Sequence, residues 1–139
     1  MDNINIAKGA LAGEVCFAAL SPSGKLVTSS ERGVKFLLEL SAAPGAMSGY
    51  VAADKIVGRA AAFLMIRLGI TEVYAATLSR PAEELFRAYG IKYSFGNSAE
   101  RIINRAGTGL CPMESAVQGI NEPDAAYEAL KAAFEKLGK

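Results

Sequence analysis

The sequence predicts an α/β protein in which helices cover both faces of a mixed sheet of about four or five strands. Two β-prone runs, Glu14–Leu20 and Lys25–Ser29, flank a Ser-Pro-Ser-Gly turn, which is the signature of a β-hairpin. A strand at Glu72–Leu78, a helix at Pro81–Tyr89 and a strand at Ile91–Phe95 follow with short joints, which indicates a right-handed βαβ unit. An antiparallel hairpin and a parallel βαβ unit together require a mixed sheet.

The remaining segments predict helices. The longest runs from Val51 to Leu68, because the stretch from Ile56 to Leu68 is almost wholly apolar and a helix apolar on nearly every side belongs in a core. Shorter helices or helical turns are expected from amphipathic spacing, first-turn prolines and terminal glycines at Asn5–Leu11, Val34–Leu40, Ala99–Asn104, Cys111–Gln118 and Pro123–Leu137.

Length and composition predict one domain over residues 1–139, without a linker or an internal repeat. The chain is 51% hydrophobic and 21% charged, which is an ordinary globular balance. It contains no histidine. A single chain therefore offers no Ser-His-Asp or Cys-His catalysis and no zinc site built from three histidines.

The charge balance and the cysteines limit which partners and which cellular compartment are expected. Fifteen Lys and Arg against fourteen Asp and Glu leave a formal charge of +1 with no basic stripe, so no nucleic-acid partner is predicted. Cys16 and Cys111 form no CxxC motif and are expected to be reduced thiols in a cytoplasmic protein. The sequence starts without the features of a signal peptide, and its most apolar segment, Ala60–Ile66, is too short to span a bilayer, so no membrane partner is expected. The high apolar content predicts a homo-oligomer.

Three separated stretches carry a resemblance that covers nearly the whole chain: TSSERGVKFLLEL, ADKIVGRAAAFLMIRLGITEVYAATLS and RIINRAGTGLCPMESAV. In this order they resemble a small bacterial family of unknown function within the cytidine-deaminase-like superfamily. The order of a hairpin, a buried helix and then strand, helix and strand is similar to that superfamily as well. The resemblance implies a three-layer, cytidine-deaminase-like fold.

The same resemblance argues against zinc chemistry. Zinc deaminases carry His-x-Glu or Cys-x-Glu at the start of the buried helix and Pro-Cys-x-x-Cys at a later strand-to-helix junction. Here Ala52 precedes Asp54 in the first motif, and Pro81 is followed by Ala82 and Leu85 in the second. No metal or other cofactor is therefore expected, and zinc-dependent deamination is not predicted.

The strongest candidate for chemistry is Cys111, with Glu114 three residues later. Pro112 fits the first position of a helix, which places Cys111 at its N-cap, where free N–H groups stabilise a thiolate. Cys111 is then a nucleophile or redox thiol, with Glu114 or Asp54 handling protons. The alternative is structural, with Cys111 as a small capping or packing residue and Glu114 completing the cap.

A cationic segment precedes that helix. Arg101 and Arg105 are four residues apart and share one helical face, and Asn104, Thr108 and Gly109 follow within the same stretch. Together they form a candidate site for a phosphate or carboxylate group. The alternative is ordinary surface charge or pairing with a carboxylate.

Asp54 and Lys55 open the predicted buried helix. The resemblance implies that this helix start lines the pocket, whereas a structural interpretation makes Asp54 a first-turn complement to the helix dipole. Cys16, in an apolar strand, is expected in the core. The functional hypothesis is a zinc-free fold that binds a nucleotide-like or other anionic small molecule. The alternative is a non-zinc enzyme that uses Cys111.

Overall fold

A five-stranded mixed sheet forms the centre of the protein, in a computed structural model that describes residues 3–31, 34–102 and 111–137. The strands are β1 (Phe17–Leu20), β2 (Leu26–Ser29), β3 (Val51–Val57), β4 (Glu72–Ser79) and β5 (Lys92–Ala99). The helices are α1 (Asn3–Ala10), α2 (Lys35–Leu40), α3 (Arg59–Leu68), α4 (Arg80–Ala88), α5 (Pro112–Ala116) and α6 (Pro123–Leu137). The strand order across the sheet is β2-β1-β3-β4-β5.

The sheet has an antiparallel half and a parallel half. β1 pairs antiparallel with both of its neighbours, so that Phe17 lies opposite Ser29 of β2 and opposite Asp54 of β3. β3, β4 and β5 run parallel and are joined by α3 and α4, because parallel neighbours need a long crossover. The predicted hairpin, βαβ unit and mixed α/β sheet are confirmed.

The helix predicted from Val51 to Leu68 is wrong in its first half. Val51–Val57 is the central strand β3, and the helix α3 begins only at Arg59. An interior strand of a parallel sheet is buried on both faces and reads as a continuous apolar run, which periodicity cannot distinguish from a buried helix. Gly58 separates the two elements, and the sheet thereby contains a second βαβ unit, β3-α3-β4.

The helical turn predicted at Ala99–Asn104 is also wrong. β5 continues to Ala99, where it still pairs with Ser79 of β4, because the eight-residue β4 offers a partner along its whole length. Residues 100–102 are not helical, and residues 103 and 104 lie outside the described residues. The helix expected to run to Gln118 ends earlier, at Ala116.

Helices pack on both faces of the sheet. On one face α1 covers a small cluster formed by Ala7, Leu20, Val51 and Ala53. On the other face the main core combines side chains of the sheet with buried residues of α3, α4 and α6, among them Phe63, Phe86 and Leu130. Within the described segments, no helix is long and apolar enough to cross a membrane.

Two glycines end helices in the same way but in different surroundings. Gly69 after α3 and Gly90 after α4 both have a positive φ, +87° and +70°, and each is followed by a residue whose N–H bonds back to the helix. A Cβ on Gly69 would lie 3.0 Å from the Cα of Ser48, whereas a Cβ on Gly90 would meet nothing within 4 Å.

We expect Gly90→Ala to lower the free energy of unfolding by about 1–2 kcal/mol, the cost of a left-handed alanine. Gly69→Ala should cost at least about 1 kcal/mol more, because the backbone at Ser48 must also shift. Denaturant unfolding of the two variants measures the difference. Equal losses would show that the approach of Ser48 carries no strain.

Candidate functional site

A cavity of about 840 Å³ opens at the carboxyl end of β3. At this point β3 has β1 antiparallel on one side and β4 parallel on the other. Ligands of open α/β sheets commonly bind outside the carboxyl ends of the strands. Side chains of α2, α3 and α5 form the walls of the cavity.

Glu114 holds the wall of this cavity together. Its Oε1 accepts a hydrogen bond from the backbone N–H of Arg59 and its Oε2 one from Ala60, both at 2.8 Å. These are the first two residues of α3, whose N-cap residue, Gly58, has no side chain to do this. Glu114 therefore caps a helix distant in sequence and ties α5 to α3. It does not cap its own helix, as the sequence-based capping hypothesis supposed.

Gly58 makes this cap possible. A Cβ at position 58 would lie 2.5 Å from Oε1 of Glu114 and 2.7 Å from Cγ1 of Ile102. Glu114 is only 8% exposed, and burial raises the pKa of its carboxyl, against the opposing effects of the two N–H donors and of the positive charge of Arg59. With both oxygens engaged in capping, Glu114 is poorly placed to act as a general base.

Asp54 places a carboxyl group inside the cavity. On β3 it lies between Phe17 of β1 and Ala75 of β4, and only 9% of its surface is exposed. Burial raises the pKa of Asp54 to about 7, against the opposing effect of the backbone N–H groups of Ile56 and Lys55. Among the described residues, none forms an ion pair with this carboxyl.

Lys55 also lines the cavity, and its side chain has a partner. Its Nζ donates a hydrogen bond to the backbone carbonyl of Gly13 at 2.8 Å. Asp54 and Lys55 belong to the strand β3 and not to the start of a helix, so the interpretation of Asp54 as a first-turn complement to a helix dipole is wrong. Adjacent residues of a strand point to opposite faces, which places the two side chains on different sides of the sheet.

The two cysteines line the same cavity, although they are 95 positions apart in the sequence. Cys111 is the N-cap residue of α5, as expected, and its side chain makes no capping hydrogen bond. Cys16 is half-buried, with its Sγ 3.6 Å from the carbonyl oxygen of Glu14. The expectation that Cys16 belongs to the core is wrong, because β1 begins one residue later and leaves Cys16 at the cavity.

Arg101 is exposed and lines a smaller cavity of about 220 Å³. Glu114 lines both cavities, so they adjoin. Arg59 also lines the smaller one, and its guanidinium donates to the carbonyl of Ile120 and to Oδ1 of Asn121. The other predicted anion-binding residues, Asn104, Arg105, Thr108 and Gly109, lie outside the described residues.

Sequence reasoning missed Gly58 and Ile56. Ile56 lines the cavity and is 57% exposed, which is unusual for a large apolar side chain at the end of a central strand. The available signal was the glycine that interrupts the apolar run, since a glycine there marks a junction or a close approach. Because the segment Val51–Leu68 was interpreted as one helix, neither residue was recognised as part of a site.

The described lining of the larger cavity is acidic. Four acidic residues and one lysine contribute to it: Glu14, Glu31, Asp54, Glu114 and Lys55. Apolar side chains of β1 and α2, including Phe17 and Phe36, form the rest of the wall on that side. Within the described ranges, no three His, Cys, Asp or Glu residues are grouped so as to hold a metal ion.

The raised pKa of Asp54 predicts a pH-dependent stability. Its folded pKa of about 7 exceeds the unfolded value of 3.8, so its contribution is fully favourable below about pH 4. As pH rises from about 4 to about 7, the free energy of unfolding should fall by about 3 kcal/mol from this residue alone. Asp54→Asn should remove that loss, as measured by denaturant unfolding across this range.

Glu31→Gln is the matched control, because it neutralises an exposed carboxyl at the same cavity. It should keep the pH dependence of the wild type. Glu114, whose pKa is also raised by burial, should leave a residual slope of the same sign in Asp54→Asn. An unchanged slope in Asp54→Asn would contradict the assignment.

Comparison with known proteins places the chain in a family. No curated protein matches it. It is similar to the crystal structure of a DUF1893 family protein (TM1506) from Thermotoga maritima, with a TM-score of 0.76 and 24% sequence identity over 95% of this chain and 85% of that one. At this identity the likeness shows a shared fold. Residues 7–134 match the family described as TM1506, domain of unknown function (DUF1893), and the chain therefore belongs to the DUF1893 family.

Proposed function

We propose that this protein binds a nucleotide-like small molecule, with the base or an equivalent planar group in the cavity beside Asp54. The observation that carries the proposal is a buried carboxyl group in a cavity of about 840 Å³, without an ion pair among the described residues. Cavities of about 300–1,000 Å³ are typical of small-molecule sites. A group whose ionisation costs stability in such a cavity is a candidate for function.

The chemistry of Asp54 fits a nucleobase edge. With a pKa of about 7, the carboxyl group is partly protonated near neutral pH. The protonated form offers one donor and an acceptor, and the ionised form offers only acceptors. A planar heterocycle presents neighbouring N–H donors and ring acceptors, which either form of the carboxyl can pair with. The apolar wall formed by Phe17 and Phe36 suits the faces of such a ring.

Charge decides how such a ligand is oriented. The described wall beside Asp54 carries more carboxyl groups than cations, which disfavours an anion there and favours a neutral or cationic group. A phosphate or carboxylate of the ligand would instead lie towards the smaller cavity, where Arg59 and Arg101 stand beside Glu100 and Glu114 and can pair with it bidentately. The sequence-based proposal for Asn104, Arg105, Thr108 and Gly109 concerns the same anionic end of the ligand.

The proposal includes a zinc-free, cytidine-deaminase-like scaffold in the cytoplasm. The strand order β2-β1-β3-β4-β5, with a hairpin followed by two βαβ units, supports this relationship. At the two strand-to-helix junctions, the helices begin with Arg59-Ala60 and Arg80-Pro81, and neither start carries a His or Cys. The unpaired Cys16 and Cys111 support a reducing compartment.

We expect a nucleobase or nucleoside to raise the melting temperature of the wild type in a thermal-shift panel. The panel should contain nucleobases, nucleosides, nucleoside monophosphates and inorganic phosphate. Asp54→Asn should raise the dissociation constant of the bound probe by about tenfold to a hundredfold, since a hydrogen bond to a charged group is lost. Isothermal titration calorimetry measures that change.

Two control variants separate the parts of the ligand. Glu31→Gln should bind as the wild type does, because it alters an exposed carboxyl of the same cavity. Arg101→Ala should weaken binding of a monophosphate and leave binding of the matching nucleoside unchanged. The proposal is overturned if no probe stabilises the protein, or if Asp54→Asn and Glu31→Gln bind alike.

A second candidate function is a non-zinc enzyme with Cys111 as nucleophile. The observation in its favour is that Cys111 and Asp54 line one cavity, so that a thiol and a proton acceptor face the same space. Of the two residues that the sequence offered for handling protons, Glu114 and Asp54, this version uses Asp54. The two candidates share the site and differ in whether Cys111 reacts.

Alkylation by iodoacetamide tests this candidate. In a Cys16→Ser background Cys111 is the remaining thiol, and it should react several-fold faster than a small-molecule thiol at neutral pH. Adding Asp54→Asn should slow the reaction, because the proton acceptor is lost. A rate equal to that of the small-molecule thiol, unaffected by Asp54→Asn, would leave Cys111 with a structural role.

A further inference from the structure

The strand β5 is an open edge of the sheet. It is eight residues long and pairs with β4 on one side, and none of the described elements pairs with its other side. Between Lys92 and Glu100 it contains neither a charged residue nor a proline, and most of its side chains are exposed. Natural sheets protect long edges with charges, prolines or bulges, because an unprotected edge pairs readily with another strand.

The hydrogen bonding of β5 defines which groups are available. The N–H of Lys92 donates to the carbonyl of Thr71, which precedes β4, so Lys92 turns its peptide groups towards the rest of the sheet. Successive residues of a strand point their peptide groups to opposite sides, so Ser94, Gly96 and Ser98 turn inwards as Lys92 does. The peptide groups of the odd-numbered residues from 93 to 99 therefore point outwards.

We propose that β5 pairs antiparallel with β5 of a second copy of this chain, around a two-fold axis at Gly96. In an antiparallel pair, residues whose peptide groups point outwards must lie opposite each other to form hydrogen bonds. Odd-numbered residues of β5 therefore pair with odd-numbered residues of the partner subunit, so the numbers of two paired residues always add up to an even sum. The register centred on Gly96 places Lys92 opposite Glu100 of the partner subunit, and does so twice because the contact is symmetric. Shifting it by one allowed step places Ser98 opposite Lys92 in one direction and Ser94 opposite Glu100 in the other, so the charge pair is lost either way.

The side chains of β5 suit this register. Ser94 faces Ser98 of the partner subunit, so both of the closely spaced pairs beside the axis are small and polar. At the axis itself Gly96 has no side chain, and a Cβ there would lie 3.2 Å from the hydroxyl oxygen of Tyr74. Phe95, 39% exposed and stacked on Tyr93, is covered by the added strand. The result is one continuous ten-stranded sheet, from two sheets of five strands each.

Two double variants test both the contact and its register. Ser94→Lys/Ser98→Lys puts like charges opposite each other at two symmetric pairs, whereas Ser94→Lys/Ser98→Glu puts opposite charges there. Both variants change the same two exposed serines, so each variant is the control for the effect of the other on folding. Sedimentation equilibrium over a concentration series measures the dimer dissociation constant, and thermal unfolding confirms that the variants fold.

The wild type should sediment as a dimer. The variant with like charges should have a dissociation constant about tenfold or more above that of the variant with opposite charges, since each cross-strand charge pair contributes roughly 0.2–1 kcal/mol. A wild type that is monomeric throughout would overturn the proposal. A dimer that dissociates equally in both variants would overturn it as well, because the contact would then lie elsewhere.

Discussion

The hydrogen bonds from Arg59 and Ala60 to the carboxylate of Glu114 are the constraint on which the candidate site depends. Through them a residue of α5 caps α3, and the cap requires a glycine at position 58. α3 begins two residues after β3 ends. The contact between α5 and α3 therefore places α5 and its N-cap residue Cys111 beside the cavity that Asp54 lines. Without this carboxylate, the first N–H groups of α3 would be left without their partner in a partly buried place.

Asp54 introduces a tension between stability and function. A carboxyl group in the middle of a sheet is costly to ionise, and an apolar residue of similar size would pack there without that cost. Its neighbours Phe17 and Ala75 belong to the buried core, so the carboxyl stands where the sheet otherwise follows hydrophobic patterning. Local violations of good packing of this kind are characteristic of functional sites.

The topology explains why the sheet has one open edge beside the parallel half. β2 is the outer strand of the antiparallel side, and with four residues it is short and partly exposed. β5 ends the parallel side with eight residues, because it follows β4 along its full length. The parallel arrangement thus produces both the cavity at the carboxyl end of β3 and the long edge at β5.

The sequence by itself determined the hairpin, the β4-α4-β5 unit, the α/β class and the N-cap position of Cys111, because turn residues, prolines and glycines act locally. It did not determine that Val51–Val57 is a strand, since the segment has the apolar character of both a buried strand and a buried helix. Only the tertiary structure decided that Asp54, Cys16, Cys111 and Glu114 meet at one cavity. That meeting depends on which strands are neighbours and on a helix cap formed across more than fifty residues, and neither is encoded in local spacing.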